Sequence, residues 1–199
     1  MTTRSGRFSG ASSLPSQRWD PRYPSLMSTL VLDPAAPELE AMKARRRRAG
    51  LDRLDEVWEG VLHMVPAPSR KHAKIATQLA LALDAPARDA GFELTMHEFN
   101  LGESERDFRV PDGGLHRPGG DEMWHSTAAM VIEIVSPEDE TWQKLPFYAA
   151  HEVDELLIVD PAERSVHWLA LSDGQYGEVE RSGLIELGPA ELATSIEWP

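Results

Sequence analysis

Cysteine is absent from all 199 residues, which excludes a disulfide framework, a thiolate zinc site and thiol redox chemistry. A chain without it suits a reducing compartment, and a cytoplasmic location is the expectation. No apolar run approaches the roughly 20 residues that a membrane helix requires. The N-terminus is polar and proline-bearing, without the apolar stretch of a signal peptide. Positive charge is scarce: 20 Lys and Arg stand against 33 Asp and Glu, a formal net charge of -13. So acidic a chain is poorly suited to indiscriminate nucleic-acid binding, because phosphate neutralisation supplies most non-specific affinity. What basic character there is lies early, with nine Lys and Arg against six acids in residues 38 to 74 and seven against 25 from residue 75 onward. The seven histidines form no HExxH spacing, and neither a GxSxG elbow nor a GxxxxGK loop occurs.

What is present reads as one domain, with 41% hydrophobic residues, enough for a sizeable core. Residues 1 to 33, rich in Ser, Pro and Arg, bury too little to offset the entropy of ordering and are read as a flexible tail. Met27 offers a second start within it. Residues 34 to 199 form the domain. A helix is expected from Pro37, with Glu38 and Glu40 in its first turn, basic residues in its last and Gly50 as its stop. Arg45, Arg46, Arg47 and Arg48 ride this helix as a solvated face or as contacts to a DNA backbone. The run VWEGVLHMV alternates like a strand, and Ser69 can cap a helix whose core face is Ile75, Leu79 and Leu83, with Pro86 opposing its continuation past Asp84. His72 lies one turn before Ile75 on the same side, which makes packing its first reading and support of a neighbouring site its second. FELTMHEF and FRV read as strands, NLGESERD and GGLHRPGGDEMWHST as loops. Trp58, Trp124, Trp142 and Trp168 read as core or lid packing.

The stretch from Arg109 to Asp160 organises the rest. The run AAMVIEIV is apolar at nearly every position, as a strand covered on both faces must be, so Glu133 sits where an ionised carboxylate is costly. Its charge needs a partner. Lys144 is one candidate and a divalent cation another, and Asp112, after the FRV strand and Pro111, brings a second carboxylate. Two acids and a lysine around a hard cation suit phosphodiester chemistry; a buried Glu133–Lys144 ion pair with Asp112 as a turn acid is the structural alternative. A helix around Leu145 to His151 and the strand LLIVD then complete a right-handed crossover between parallel strands, and an antiparallel meander follows. The fold class is α/β (α+β), a mixed sheet with helices on both faces.

The strings VPDGG, VIEIVSPEDE, KLPFY and ELLIVDP, in this order, together with DEVWEGVLHMVPAPSRKH, resemble the Uma-two family of restriction-endonuclease-like proteins in the PD-(D/E)XK nuclease superfamily. The resemblance covers residues 51 to 161. It implies a restriction-endonuclease-like fold, Asp112 and Glu133 as metal-binding carboxylates, Lys144 as the lysine that orients or deprotonates the attacking water, and Glu56 as a further ligand or supporting group. It also implies magnesium, with manganese as substitute, and DNA as substrate; a homodimer is a candidate assembly. In the superfamily's usual pattern the lysine stands two residues after the acid, where this chain has Val135; Lys144 must reach the site from the entry of the crossover helix. The alternative function is a non-catalytic binding or assembly module that keeps the nuclease fold.

Overall fold

The computed structural model describes residues 30–32, 37–120, 122–137 and 140–199. Among these described residues, twelve strands form two six-stranded sheets. The first contains β1 (Leu30–Leu32), β2 (Glu56–Trp58), β3 (Val61–Met64), β5 (Asn100–Ser104), β6 (Asp107–Arg109) and β8 (Trp124–His125), in the order β1-β3-β2-β6-β5-β8. The second contains β4 (Glu93–Thr95), β7 (Gly113–His116), β9 (Met130–Ile134), β10 (Glu155–Asp160), β11 (Ser165–Ser172) and β12 (Gln175–Glu178), in the order β12-β11-β10-β9-β7-β4. The helices are α1 (Pro37–Ala49), α2 (Arg70–Asp89), α3 (Leu145–Ala150), which follows a 3-10 turn at Thr141–Lys144, and α4 (Pro189–Thr194).

The central strand β9 is buried at all five positions and lies parallel to β10, with Glu133 opposite Ile158. Strand alternation divides its side chains between two cores. Met130, Ile132 and Ile134 join Ile75, Leu79 and Leu83 of α2, whereas Val131 joins Phe147 and Tyr148 of α3 and Leu101 of β5. Glu133 is in phase with Val131 and therefore faces α3 and the first sheet. Each fully buried Leu or Ile in these layers contributes roughly 1.5–3 kcal/mol, so the strand that carries the acid is among the most firmly held in the molecule. The meander β10-β11-β12 is antiparallel, as expected.

Several local expectations give way to tertiary context. VWEGVLHMV is a hairpin rather than one strand, because Glu59 and Gly60 take φ of 49° and 89° and turn the chain back. NLGES is strand β5, paired with β6. GGLH is strand β7, and its glycines answer a packing need: a Cβ on Gly114 would stand 2.7 Å from the Met130 carbonyl oxygen. Helix α2 runs through Pro86 to Asp89, since Leu83 and Ala87 on either side of the proline are both fully buried and hold that turn in place. Of the segment expected as a tail, Leu30–Leu32 forms β1 and pairs with β3, so ordered chain begins before residue 33; residues 1–29, with Met27, lie outside the described residues.

Candidate active site

Three elements deliver acids to one cleft. Glu133 comes from β9, Asp112 from the connection between β6 and β7, and Glu56 from the first residue of β2. Lys144, last residue of the 3-10 turn, places its Nζ 3.0 Å from Glu133 Oε1 and 2.9 Å from Glu56 Oε1. The crossover thus carries the lysine into the site eleven positions after the acid. Tyr148 follows Lys144 by one helical turn, so both side chains leave the same face of α3, and its hydroxyl donates to Glu133 Oε1.

Asp112 is held by the sheet itself. Its Oδ2 accepts from the Ile134 backbone N–H at 2.8 Å, and its Oδ1 lies 3.0 Å from His72 Nε2. The Ser69 hydroxyl caps α2 by accepting from the His72 N–H at 3.2 Å, which sets the helix start and with it the imidazole. His72 therefore faces Asp112 and the cleft, and its Nδ1 lies 3.4 Å from Ser136 Oγ. Periodicity alone had placed it on the core face; at the first turn of the helix that face has already passed the edge of the core and opens on the site.

Glu56, only 2% exposed, is tightly committed. Oε1 accepts from the Val110 N–H at 2.9 Å as well as from Lys144, and Oε2 accepts from Trp58 Nε1 at 2.7 Å. This geometry makes it the partner of Lys144 rather than an open metal ligand. Beside it, Trp58 stacks on His63 with ring centroids 4.1 Å apart, and the Arg109 guanidinium lies between the Trp58 and Phe147 rings, 4.5 and 3.9 Å from their centroids. His63 in turn lies 2.9 Å from Glu140 Oε2.

Burial pushes the Glu133 carboxyl up to about 8, against the attraction of Lys144 and with support from the Asp112 and Glu56 charges. Burial opposes the Lys144 ammonium, but the Glu133 and Glu56 carboxylates outweigh it and raise its pKa above the ordinary lysine value. The site thus holds more negative charge than its single lysine balances. Among the described residues, no group of three or more His, Asp or Glu side chains is arranged to hold a metal ion. Magnesium does not require three: it keeps several waters and takes one or two carboxylates together with phosphate oxygens of a substrate. Asp112 and Glu133, oxygen donors near enough for the charge of one to act on the other, fit that requirement. Around them opens a cleft of about 490 Å³, whose lining includes Glu56, His72, Asp112, Glu133, Glu140 and Lys144.

Tyr148, Arg109 and the His63–Glu140 pair are missing from the sequence reading. For Tyr148 a signal exists, since KLPFY sets it four residues after Lys144; for the others only tertiary contact reveals them. The four arginines of α1 prove unequal. Arg46 is anchored, donating to both Asp55 carboxylate oxygens at 2.7 and 2.5 Å and to the Leu51 carbonyl oxygen at 2.5 Å. Arg47 lies 3.5 Å from Asp52, and Arg45 and Arg48 are exposed. Arg46→Gln is accordingly expected to cost about 2 kcal/mol of stability in urea denaturation. Joint replacement of Arg45 and Arg48 should stay within about 0.5 kcal/mol of wild type. Of the tryptophans, Trp168 is core, whereas Trp142 is 47% exposed, with the His167 ring 5.3 Å from its own.

Residues 37–197 match the family Uma2, described as "Putative restriction endonuclease". The chain belongs to the Uma2 family. The match spans the whole cleft, from α1 to the residues beyond α4, and so extends past the stretch that the motifs alone covered. Among solved structures, a putative nuclease belonging to DUF820 from Anabaena variabilis is similar with a TM-score of 0.57 at 16% identity, over 71% of this chain and 90% of that one. At that identity the likeness concerns the fold: the Uma2 chain shares the mixed α+β architecture of a nuclease-like protein. No curated protein matches it. Among the described residues of this Uma2 protein, no helix is long and apolar enough to cross a membrane.

Proposed function

We propose that this Uma2 protein is a divalent-metal-dependent endonuclease that hydrolyses DNA phosphodiester bonds in the cleft around Glu133. The observation that carries the reading is the meeting of Asp112, Glu133 and Lys144, from three separate elements, at the floor of one cleft. Asp112 and Glu133 would hold magnesium, or manganese in its place. When bound, the ion supplies a Lewis acid for the phosphate and an acidified water. The chain's own groups do the rest. Lys144 carries a fixed positive charge to the place where negative charge develops on the phosphoryl oxygens. Glu56 and Tyr148 fix the position of Lys144 and of the Glu133 carboxylate, and His72 together with the Ile134 N–H fixes that of Asp112.

One observation favours the alternative of a non-catalytic binding module: the net charge of -13 opposes nucleic acid. Asp112→Asn separates the two. The substitution keeps shape and removes one charge, so under the nuclease reading it should weaken manganese binding and lower cleavage of a mixed oligonucleotide pool by at least about 100-fold, with the fold intact. Calorimetric metal titration and gel assays measure both. A wild-type protein that binds no divalent ion at millimolar concentration, even with DNA present, would leave the fold and end the nuclease assignment.

A further inference from the structure

Resting on the nuclease reading, the geometry points to a substrate class: the cleft takes an unpaired nucleotide of a single strand, not an intact duplex. Depth is the first reason. The side chains of Glu133, Lys144 and Asp112 are only 6%, 11% and 24% exposed, so a phosphate reaches them by descending into the cleft. In a duplex the second strand follows at a groove's width, about 6 or 12 Å away, and must descend with it. A volume near 490 Å³ lies in the range of roughly 300–1,000 Å³ that encloses one small molecule, which suits a single nucleotide.

Charge is the second reason. Glu98 and Glu140 line the cleft together with Glu56, Asp112 and Glu133, and among the described lining residues Lys144 is the one Lys or Arg. Duplex DNA brings a phosphate about every 1.7 Å of axis and a single strand about every 3.4 Å, so repulsion from these acids is halved for the single strand. The walls supply the third reason. Pro66, Pro68, Ala73, Ala76 and Met96 present apolar surface beside the acids, which matches the faces of an unstacked base.

The test compares a labelled single-stranded oligonucleotide with the same strand annealed to its complement, both with manganese. The single strand should be cut at least about tenfold faster, and Asp112→Asn protein should bind it at least about tenfold more tightly by fluorescence anisotropy. Thr77 lines the cleft on an exposed turn of α2. Thr77→Glu narrows the cleft without entering the core, adds one more acid to its wall and should weaken single-strand binding about tenfold with the melting temperature unchanged. Should that variant unfold, Ala73→Leu, at another exposed lining position, gives the same readout. Cleavage of the duplex at an equal or higher rate, or unchanged single-strand binding by the narrowed cleft, overturns the inference and leaves the nuclease reading standing. Failure to cut either form removes both.

Discussion

Glu133→Gln is expected to stabilise the metal-free protein at pH 8, to leave it nearly unchanged near pH 4.5, and to abolish cleavage. The sign follows from the direction of the shift. Burial raises the folded-state pKa of Glu133 from the ordinary 4.5 to about 8. Below pH 4.5 the group is protonated both folded and unfolded, and it imposes no differential cost. Between pH 4.5 and 8 the folded protein keeps a proton that the unfolded chain has released, so stability falls as pH rises. Above 8 the folded carboxylate is ionised too, and the loss is complete. At roughly 1.4 kcal/mol per pKa unit the full loss is on the order of 3 to 5 kcal/mol. Glutamine carries no charge at any pH and escapes it, while Glu56 remains to pair with Lys144. Urea denaturation of both proteins at pH 5 and pH 8.5 gives the difference directly. If Gln destabilises at the higher pH, Glu133 and Lys144 form a structural ion pair and the acid is not a strained group awaiting a cation. Loss of cleavage is read separately, with manganese.

The acid at the centre was legible because a single charge in an otherwise apolar strand contradicts its surroundings, and such contradictions mark sites. Asp112 was legible in the same way, from a proline-aspartate step beside that strand. Lys144 was legible only as a candidate partner for that charge, since nothing local says that a lysine eleven residues later returns to the same carboxylate; its role at the site came from the resemblance. Arg109 and His63 left no trace in the sequence: each reads as a polar residue in a short strand, and only the folded chain brings Trp58 between them. Arg45 to Arg48 looked equivalent as a run, yet Arg46 meets Asp55 across the turn after α1, a contact set by a loop that no periodicity describes. The first sheet was hidden for a related reason. Its strands are two to five residues long, too short for alternation to rise above noise, and two of them meet at a Glu-Gly turn inside what reads as one strand.

Lys144→Met should produce the largest loss of stability of any change at the site, about 3 to 5 kcal/mol near pH 8. Methionine fills the space of the lysine stem and removes the charge alone. What remains is Glu56 and Glu133, which share that ammonium at 2.9 and 3.0 Å, now buried without a cation between them. Breaking a buried pair on one side costs more than the pair contributes, because the abandoned charge keeps its full desolvation penalty. The loss should therefore shrink as pH falls and the Glu133 carboxyl takes up its proton. It should shrink again in the double variant Lys144→Met/Glu133→Gln, where one abandoned charge is gone. A coupling energy of at least about 1.5 kcal/mol between the two substitutions is expected from a double-mutant cycle. Metal binding separates this account from a purely structural one. With the lysine removed, a competing cation has left the Glu133 carboxylate, so manganese should bind Lys144→Met as tightly as wild type or more tightly. Turnover should nevertheless fall, for want of positive charge at the phosphoryl oxygens. A variant that loses stability while its metal affinity drops in proportion would show instead that Lys144 shapes the site and takes no part in its chemistry.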